Sequence, residues 1–292
     1  MENIFKNPYT ISYPEIIAIG SDDNSEIELI ERFDCIGGAM WAGKHYRKSP
    51  LTESVRVIGN TQRFMLNTGC VDLELEGSYF PAGICGAEIS GDEISISYVG
   101  MGGGGVGASV CRSTAKGVIR SSSEPCGGGK VAGSTITLPK MQRVVIGIDD
   151  TDTADEGATW TLAHNISKAV EDENSRYLSH TIVQLFPVPY RTKNCVAIAC
   201  EFATREPEKL ISSFEELVRE YTLSDKTGLC AFSGFDTSPL RQYGKRVKAG
   251  EVGSEEFEKI RDLLEIRIEG RGIIGAAAAI PFYTDYEEAL KI

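Results

Sequence analysis

The chain has no run of 18 consecutive apolar residues, so the sequence predicts no membrane-spanning helix and no membrane partner. Its first residues, MENIFKNPYTISYPEI, also lack the basic start and the apolar stretch of a secretory signal peptide. We therefore expect a cytoplasmic protein. The 292 residues are enough for two domains, and a hydrophobic fraction of 41% can build a core in each of them.

Metal-binding cysteine pairs are missing as well. None of the eight cysteines belongs to a C-x-x-C pair, and with only three histidines a zinc ribbon is not expected. The chain also has no excess of basic charge: its formal net charge is −12, and acidic residues outnumber basic ones in both 1–140 and 141–292. This balance weakens the case for strong non-specific binding of nucleic acid, but it leaves room for a local basic patch.

What the sequence does contain is a dense acidic tract, VIGIDDTDT over residues 145–153. An apolar strand ends there in three carboxylates within four residues, Asp149, Asp150 and Asp152. Close carboxylates repel one another unless a cation lies between them, and Mg²⁺ is commonly held by one or two carboxylates with substrate phosphates. The helix that follows offers backbone N–H groups to an anion. The tract predicts a site for Mg²⁺ and a nucleotide, although Asp152 or Thr153 alone is also typical of a helix cap.

A stretch dense in Gly and Ser over residues 100–133 indicates a domain boundary near residue 140. Residues 1–140 are predicted to form a β-rich, glycine-rich domain of unknown role. Strands are predicted at 54–58, 71–75 and 93–98, and a short helix at 26–33.

Residues 141–292 are predicted to form an α+β domain of α/β-like character, with the order β-α-β-β-α-α-β. A strand at 144–148 is followed by a helix at about 159–170, in which apolar residues recur on one face. The other predictions are strands at 181–186 and 195–202, helices at 207–221 and 254–264, a buried strand within the Gly/Ala-rich segment 270–282, and a short terminal helix.

The second half of the chain resembles a known family at three places, in the same order. Residues 147–163 read GIDDTDTADEGATWTLA. They are similar to the pattern GIDDTDS-x-x-G-x-C-T-T-Y-L-A of the kinase-like catalytic domain of the archaeal 2-agmatinylcytidine synthetases, which modify an isoleucine tRNA. Residues 189–194, PYRTKN, resemble the family's P-Y-K-T-R-G-N loop, and residues 270–276, GRGIIGA, resemble its G-R-G-V-I-G-A segment.

This resemblance implies an enzyme that uses ATP and Mg²⁺ to phosphorylate a carbonyl oxygen, which an amine then displaces, so that ATP ends as AMP and phosphate. Asp149, Asp150 and Asp152 match the family's acidic metal-binding cluster. By position, Thr159 is the threonine that is itself phosphorylated. We therefore take Asp150 and Thr159 as the candidate catalytic residues.

The chain departs from the family pattern around the phosphate end of the predicted site. Ala158 replaces the family's Cys, and Trp160 replaces its second Thr. The glycine between Lys193 and Asn194 is missing, which makes that loop one residue shorter. These departures leave metal binding credible and place the family's particular chemistry in question.

Four residues are predicted to bind the cofactor ATP. Arg191, Thr192 and Lys193 follow a strand and two prolines, and we interpret them as a stiffened phosphate clamp opposite the carboxylates. Arg271 lies between two glycines that permit close backbone contact. The structural alternatives are a solvated basic turn for 191–193, a turn before a buried strand for Arg271, and a helix N-cap for Thr159.

A further basic segment, PLRQYGKRVK at residues 239–248, carries four basic side chains around one aromatic ring. It is a candidate for contact with an anionic partner such as RNA or a phosphorylated cofactor. A solvated helix face explains the same pattern.

The first half has no counterpart of the synthetases' OB-type domain and zinc ribbon, and the whole two-part architecture resembles the methanogenesis marker protein 11 family. Our main hypothesis is a methanogen-specific, phosphotransferase- or ligase-like enzyme. It uses Mg-ATP to activate a carbonyl or hydroxyl group of an acceptor, which is a small molecule, a protein or RNA. The alternatives are a non-catalytic, nucleotide-binding assembly or maturation factor in methanogenesis, and an RNA-modifying enzyme. The oligomeric state stays open, a homo-oligomer included.

Overall fold

The structure is a computed structural model of the chain, and it describes residues 13–102, 111–124, 129–192 and 194–291. Contacts divide the chain into two compact units, Met1–Met141 and Gln142–Ile292. The fold mixes α-helices and β-strands, with strands dominating the first unit, and this confirms the predicted fold class. In the part of the chain that the structure describes, no helix combines the length and the apolar character needed to cross a membrane.

The first unit is built around antiparallel strands, with one parallel pair where β1 meets β9 at Ala18 and Ile19. The pairing orders are β3-β4-β2-β1 and β9-β7-β6-β5, and β8 also pairs with β9. Its elements are β1 (Glu15–Gly20), β2 (Glu26–Arg32), α1 (Ile36–Tyr46), β3 (Thr52–Ile58), β4 (Thr61–Asn67), β5 (Gly69–Cys70), β6 (Ala82–Ser90), β7 (Glu93–Met101), β8 (Arg120–Ser123) and β9 (Val131–Asp149), of which residues up to Met141 belong to this unit.

The strands predicted at 54–58 and 93–98 are confirmed, but two other predictions are wrong. Residues 71–75 form no strand. The helix predicted at 26–33 is the buried strand β2, whose carboxylates Glu28 and Glu31 meet arginines from elsewhere in the unit. The spacing of charged residues in this segment resembles that of an exposed helix face. Two of these charges, Glu28 and Glu31, are instead buried in ion pairs with Arg63 and Arg112.

The centre of the first unit holds a buried ion pair between Arg112 and Glu31. Both side chains are fully buried, and the Arg112 Nε and Nη2 atoms donate to Glu31 at 2.6 and 3.0 Å. The guanidinium carbon lies 4.5, 4.7 and 4.1 Å from the ring centroids of Tyr13, Tyr46 and Tyr98, respectively. Three aromatic faces and the carboxylate together compensate the desolvation of this cation.

The second unit is a single antiparallel sheet with the order β10-β11-β9-β12-β13, in which β9 is the central strand. The strands beyond β9 are β10 (Ser175–Gln184), β11 (Val196–Thr204), β12 (Gly228–Ser233) and β13 (Glu265–Glu269). The helices are α2 (Thr159–Ala169), α3 (Pro207–Tyr221), α4 (Arg241–Ala249), α5 (Ser254–Glu258), α6 (Ile273–Ala279) and α7 (Tyr286–Leu290).

Helices cover both faces of this sheet. Val144, Ile146 and Ile148 of β9 belong to a core shared with α2 and α3. On the opposite face, Val145 belongs to a core shared with α4 and α6. Gly147 also lies on this second face, and a Cβ there would lie 2.0 Å from the Ala276 carbonyl oxygen, so only glycine lets α6 pack so closely on β9.

Most element predictions for the second unit agree with the structure, and the helix at 207–221 is confirmed at both ends. Three predictions need correction. The strand predicted at 181–186 begins earlier and ends at Gln184, and the helix predicted at 254–264 stops at Glu258. The strand predicted within 270–282 is the helix α6, in which four consecutive alanines combine high helix propensity with small side chains that pack tightly.

Candidate functional site

The acidic tract emerges at one end of the central strand, and three other segments emerge at the same end. This follows from the antiparallel order of the strands. β11 begins near the end of β9, and Gly228 at the start of β12 pairs with Asp149. The last residue of β13 in turn pairs with Gly228. The rule that ligands bind at the carboxyl edge of a parallel sheet therefore does not apply here. We name the four segments the acidic loop (149–158), the basic loop (187–195), the threonine segment (222–227) and the GRG segment (270–272).

Asp149 is the half-buried residue with which β9 enters the acidic loop. Its Oδ1 atom accepts a hydrogen bond from the Asp150 backbone N–H at 2.8 Å. Burial raises the pKa of Asp149 well above its ordinary value, and repulsion from Asp150 and then from Asp152 raises it further. Its Oδ2 atom lies against α6, where a Cβ on Gly275 would be only 2.0 Å away. The absence of a side chain at Gly275 therefore makes room for the Asp149 carboxylate.

Asp150 is held in an unusual backbone conformation and faces a cation. Its φ angle is +54°, in the left-handed region that few non-glycine residues adopt. Its Oδ2 atom lies 3.4 Å from Nη2 of Arg271. The same Nη2 donates to the Tyr190 carbonyl oxygen at 3.2 Å, and the guanidinium stacks on the Tyr190 ring at 4.5 Å. Arg271 thus links the acidic loop to the basic loop.

Thr159 is the first residue of α2, and its hydroxyl faces the acidic loop. The hydroxyl oxygen accepts from the Thr151 backbone N–H at 3.2 Å and from the Thr151 hydroxyl at 3.0 Å. It donates to Oδ1 of Asp152 at 3.3 Å. The N-cap position belongs to Ala158, which makes no side-chain cap bond. The helix-cap alternative for Thr159 is therefore wrong, because all these partners lie in the acidic loop.

Two clefts flank the carboxylates, and both are lined by Asp149, Asp150 and Asn194. Counted with the solvent space at their mouths, the larger holds about 600 Å³ and the smaller about 520 Å³. The lining of the larger cleft includes the cations Arg191 and Arg271 and several apolar side chains, among them Leu185, Phe186, Val252 and Ile274. The smaller cleft is lined by Asp152, Thr159, Trp160 and Thr192.

The structure places most of the candidate residues around the two clefts. Arg191 and Thr192 of the basic loop, however, line different clefts and do not form the single phosphate clamp that was predicted. Arg191 lines the larger cleft, yet its Nη1 atom donates to the Val188 carbonyl oxygen within the same loop at 2.9 Å. Thr192 lines the smaller cleft. Lys193 lies outside the described residues.

The three carboxylates of the acidic loop do not form a ready-made metal site. Among the described residues, no group of three or more His, Cys, Asp or Glu side chains has a geometry that could hold a metal ion. Asp149 and Asp150 line the same two clefts, whereas Asp152 accepts a hydrogen bond from Thr159. The pair fits Mg²⁺ only with further oxygen ligands, and substrate phosphates commonly supply these.

The basic segment at 239–248 is largely engaged within the unit. Arg241 pairs with Asp285, and Arg246 pairs with Glu256. The Lys248 ammonium is buried and donates to three backbone carbonyl oxygens at 2.7 to 2.8 Å. Three of its four basic side chains therefore have partners within the fold, which weakens its candidacy as a surface for an anionic partner.

Sequence reasoning missed several residues that form or support the site. Tyr190, whose ring stacks on Arg271, lies within the PYRTKN match, so the family resemblance could have identified it. Glu251 lines the larger cleft and accepts a hydrogen bond from the Tyr190 hydroxyl at 2.8 Å, but no motif surrounds it. The threonine segment likewise carries no motif, although Thr222 and Thr227 contact the acidic loop.

Comparison with known proteins finds a relative over nearly the whole chain. The uncharacterized protein MJ0921 of Methanocaldococcus jannaschii is 38% identical over 295 residues, which covers 97% of this chain and 98% of that protein. The chain belongs to the MJ0921 family. A similarity of this extent includes both units.

A second set of similarities covers only part of the chain. The TiaS TCKD domain family model matches residues 145–211. The tRNA 2-agmatinylcytidine synthetase TiaS of Methanosarcina mazei is 31% identical over 149 residues, or 47% of this chain. For the crystal structure of TiaS in complex with its tRNA and ATP, the TM-score is 0.43 at 26% identity over 48% of this chain. The matches span 35% and 36% of those two proteins, respectively.

Proposed function

We propose that the second unit binds Mg-ATP and transfers a phosphoryl group, activating a carbonyl or hydroxyl oxygen of an acceptor. The observation that carries this proposal is the position of two carboxylates, Asp149 and Asp150, between two clefts. One cleft contains the hydroxyl of Thr159, and the other contains Arg271. A phosphoryl-transfer site needs these parts, because its catalysis is mainly positioning and charge stabilisation.

Asp149 and Asp150 are the proposed carboxylate ligands of Mg²⁺, with phosphate oxygens as further ligands and Asp152 close by. When bound, the ion would neutralise negative charge on the phosphates. It would also offset the repulsion from Asp150 and Asp152, which adds to the effect of burial in raising the pKa of Asp149. Two carboxylates suffice for this role, because Mg²⁺ is usually bound through one or two of them.

The cations on the other side of the site are the proposed phosphate ligands. Arg271 already lies beside Asp150, and its planar guanidinium can bind phosphate oxygens in a bidentate manner. The other proposed phosphate ligands are Arg191, Thr192 and Lys193 of the basic loop. The Arg191 guanidinium donates to a carbonyl oxygen of its own loop, so its turn toward a phosphate exchanges a neutral acceptor for an anionic one.

Thr159 is the proposed phosphoacceptor within the protein. Its oxygen receives two hydrogen bonds from Thr151 and its proton points to the Asp152 carboxylate. As the bond from this oxygen to phosphorus forms, the bond from phosphorus to the nucleotide oxygen breaks, and the hydroxyl proton passes to Asp152. This arrangement supplies a general base at 3.3 Å from the nucleophile.

A second candidate function, RNA modification, is favoured by one of the relatives. TiaS is named as a synthetase that acts on a tRNA, and it shares 31% identity with 47% of this chain. The acceptor would then be a nucleobase carbonyl oxygen. The resemblance of the two-part architecture to methanogenesis marker protein 11 supports a role in methanogenesis, which we propose for either chemistry.

The test begins with purified full-length protein titrated with Mg-ATP by calorimetry, followed by analysis of the nucleotide products. Asp150→Asn is the informative variant, because Asn tolerates a positive φ and keeps the size of the side chain while it removes the charge and one ligand oxygen. Asp236→Asn is the matched control, since the Asp236 carboxylate accepts hydrogen bonds from Ser238 within its own turn, away from the acidic loop.

We expect the wild type and Asp236→Asn to bind Mg-ATP and release AMP or ADP, and Asp150→Asn to bind at least about tenfold more weakly, a loss of about 1.4 kcal/mol. Binding without turnover would favour the non-catalytic, nucleotide-binding factor instead. Absence of binding by the wild type would refute the proposal. Stimulation of turnover by added tRNA, but not by an unrelated RNA, would identify the RNA-modifying alternative.

A further inference from the structure

The threonine segment, residues 222–227, holds the backbone of the acidic loop. The Thr227 hydroxyl lies 3.2 Å from the Asp150 carbonyl oxygen, and the Thr222 hydroxyl lies 3.3 Å from the Thr151 carbonyl oxygen. The two hydroxyl oxygens are 2.5 Å apart, so one donates to the other; with Thr222 as that donor, the Thr227 proton is shared by the carbonyl oxygens of Asp150 and of Ser224, the latter at 3.1 Å. The backbone N–H of Leu223 adds a bond to the Thr151 carbonyl at 2.9 Å. Two successive peptide groups of the acidic loop are thereby fixed.

The same segment also holds the backbone on either side of Arg271. The Gly270 N–H donates to the Thr227 carbonyl oxygen at 2.9 Å, and the Gly272 N–H donates to the Lys226 carbonyl oxygen at 2.8 Å. A Cβ on Gly270 would lie 2.4 Å from the Lys226 carbonyl carbon, so the two segments are in close contact. One short stretch of chain therefore supports both members of the Asp150–Arg271 ion pair.

External support matters here because of the conformation of Asp150. Its φ of +54° is disfavoured for a residue with a side chain and persists only when the surroundings hold it. Thr227 is 2% exposed, so its hydroxyl acts in a place where water competes little for the Asp150 carbonyl. Thr227 is therefore well placed to keep the Asp150 peptide in its orientation.

We propose that Thr222 and Thr227 are positioning residues, which set the orientation of the Asp150 carboxylate and its separation from Arg271. This inference rests on the proposed function, since it assigns the two hydroxyls to the Mg-ATP site. Neither residue lines either cleft, so they act through the backbone they hold and not by touching the ligand.

The test compares three variants of the full-length protein. Thr227→Val keeps the shape of the side chain and removes the hydroxyl, whereas Thr227→Ser keeps the hydroxyl and removes a methyl group. Thr204→Val is the matched control: Thr204 is fully buried, bonds Ser175 at 2.7 Å, and lies at the opposite end of the sheet, where it pairs with Gln142.

We expect Thr227→Val to weaken Mg-ATP binding about tenfold, which corresponds to the loss of about one buried hydrogen bond. Thr227→Ser should bind within about twofold of the wild type, a margin of a few tenths of a kcal/mol. Thr204→Val should lose stability but keep wild-type affinity. Equal affinities of Thr227→Val and the wild type would overturn the proposal, as would an equal loss in Thr204→Val.

Hydrogen exchange separates this inference from the proposed function. The Asp150 and Thr151 amides donate to side-chain oxygens within the site, so their exchange reports the order of the acidic loop without any nucleotide. If the wild type does not bind Mg-ATP, the proposed function fails, and the exchange rates still decide the positioning role. Faster exchange of these amides in Thr227→Val than in Thr204→Val supports it, and equal rates refute it.

Discussion

Replacement of Arg271 by glutamine should change two affinities in opposite directions. In the structure the Arg271 guanidinium lies beside the Asp150 carboxylate, so it would compete with a metal ion for that carboxylate. In the proposed complex it moves to the nucleotide phosphates. Arg271→Gln should therefore strengthen the binding of a divalent cation alone and weaken the binding of the cation–nucleotide complex.

The size of each effect follows from the exposure of the pair. The Arg271 and Asp150 side chains are 36% and 19% exposed at a separation of 3.4 Å, so water screens their attraction. Such pairs contribute about 0.5–1 kcal/mol, and loss of the competing cation should raise metal affinity about two- to fivefold. Loss of a charge-assisted phosphate contact costs about 1.5–3 kcal/mol, so Mg-ATP should bind roughly 10- to 100-fold more weakly.

The assay can use the tryptophan that lines the smaller cleft. The chain has two tryptophans, Trp41 and Trp160, and Trp160 is 49% exposed beside Thr159. In a Trp41→Phe background, fluorescence titrations with Mn²⁺ alone and with Mg-ATP report on this site. Arg219→Gln, which removes an arginine paired with Glu215 on α3, is the control for net charge.

Three outcomes would carry information. Opposite shifts in the two affinities, absent in the Arg219 control, would support the proposed exchange of partners. A loss of affinity for both Mn²⁺ and Mg-ATP would mean that Arg271 only maintains the structure of the site. Unchanged binding of Mg-ATP would refute its role as a phosphate ligand.

Three further predictions concern the acceptor threonine, the packing of the site and the core of the first unit. Thr159→Val should abolish phosphate incorporation detected by intact-mass spectrometry, whereas Thr159→Ser should retain it; equal labelling of both would disprove the phosphoacceptor role. Gly275→Ala should place a methyl group 2.0 Å from the carboxylate that ends β9, with a cost of about 1–3 kcal/mol and weaker Mg-ATP binding in calorimetry. Gly253→Ala, with open space around the new methyl, is its control. Glu31→Gln should leave the buried Arg112 cation with its aromatic neighbours but without its anionic partner and lower the free energy of unfolding by about 3–5 kcal/mol, and a denaturant midpoint equal to that of the wild type would contradict this.

Local signals were sufficient wherever a single element buries its own apolar face. The helix Pro207–Tyr221 begins at a proline, which is favoured in the first turn, and presents Leu210, Phe214 and Val218 to the core. The acidic tract was also recognisable, because three carboxylates in four residues require compensation wherever they lie.

Local signals failed where distant partners decide the structure. The segment Glu26–Arg32 contains three glutamates and resembles a charged helix, yet two of them are buried by Arg63 and Arg112, which lie 35 and 81 residues away from their partners. Likewise, the pattern of the Ala-rich segment after Gly272 predicts a strand. The segment is a helix that packs against β9, where Gly147 removes the side chain that would obstruct it.

The sequence by itself determined the class of fold and predicted part of the candidate site, because motif chemistry and apolar periodicity are properties of neighbouring residues. Only the tertiary structure decided which partner each of the three aspartates contacts. Asp149 packs against α6, Asp150 faces Arg271, and Asp152 accepts a hydrogen bond from Thr159. These distinctions arise because the antiparallel sheet brings four loops to one end, and each carboxylate meets a different loop or helix there.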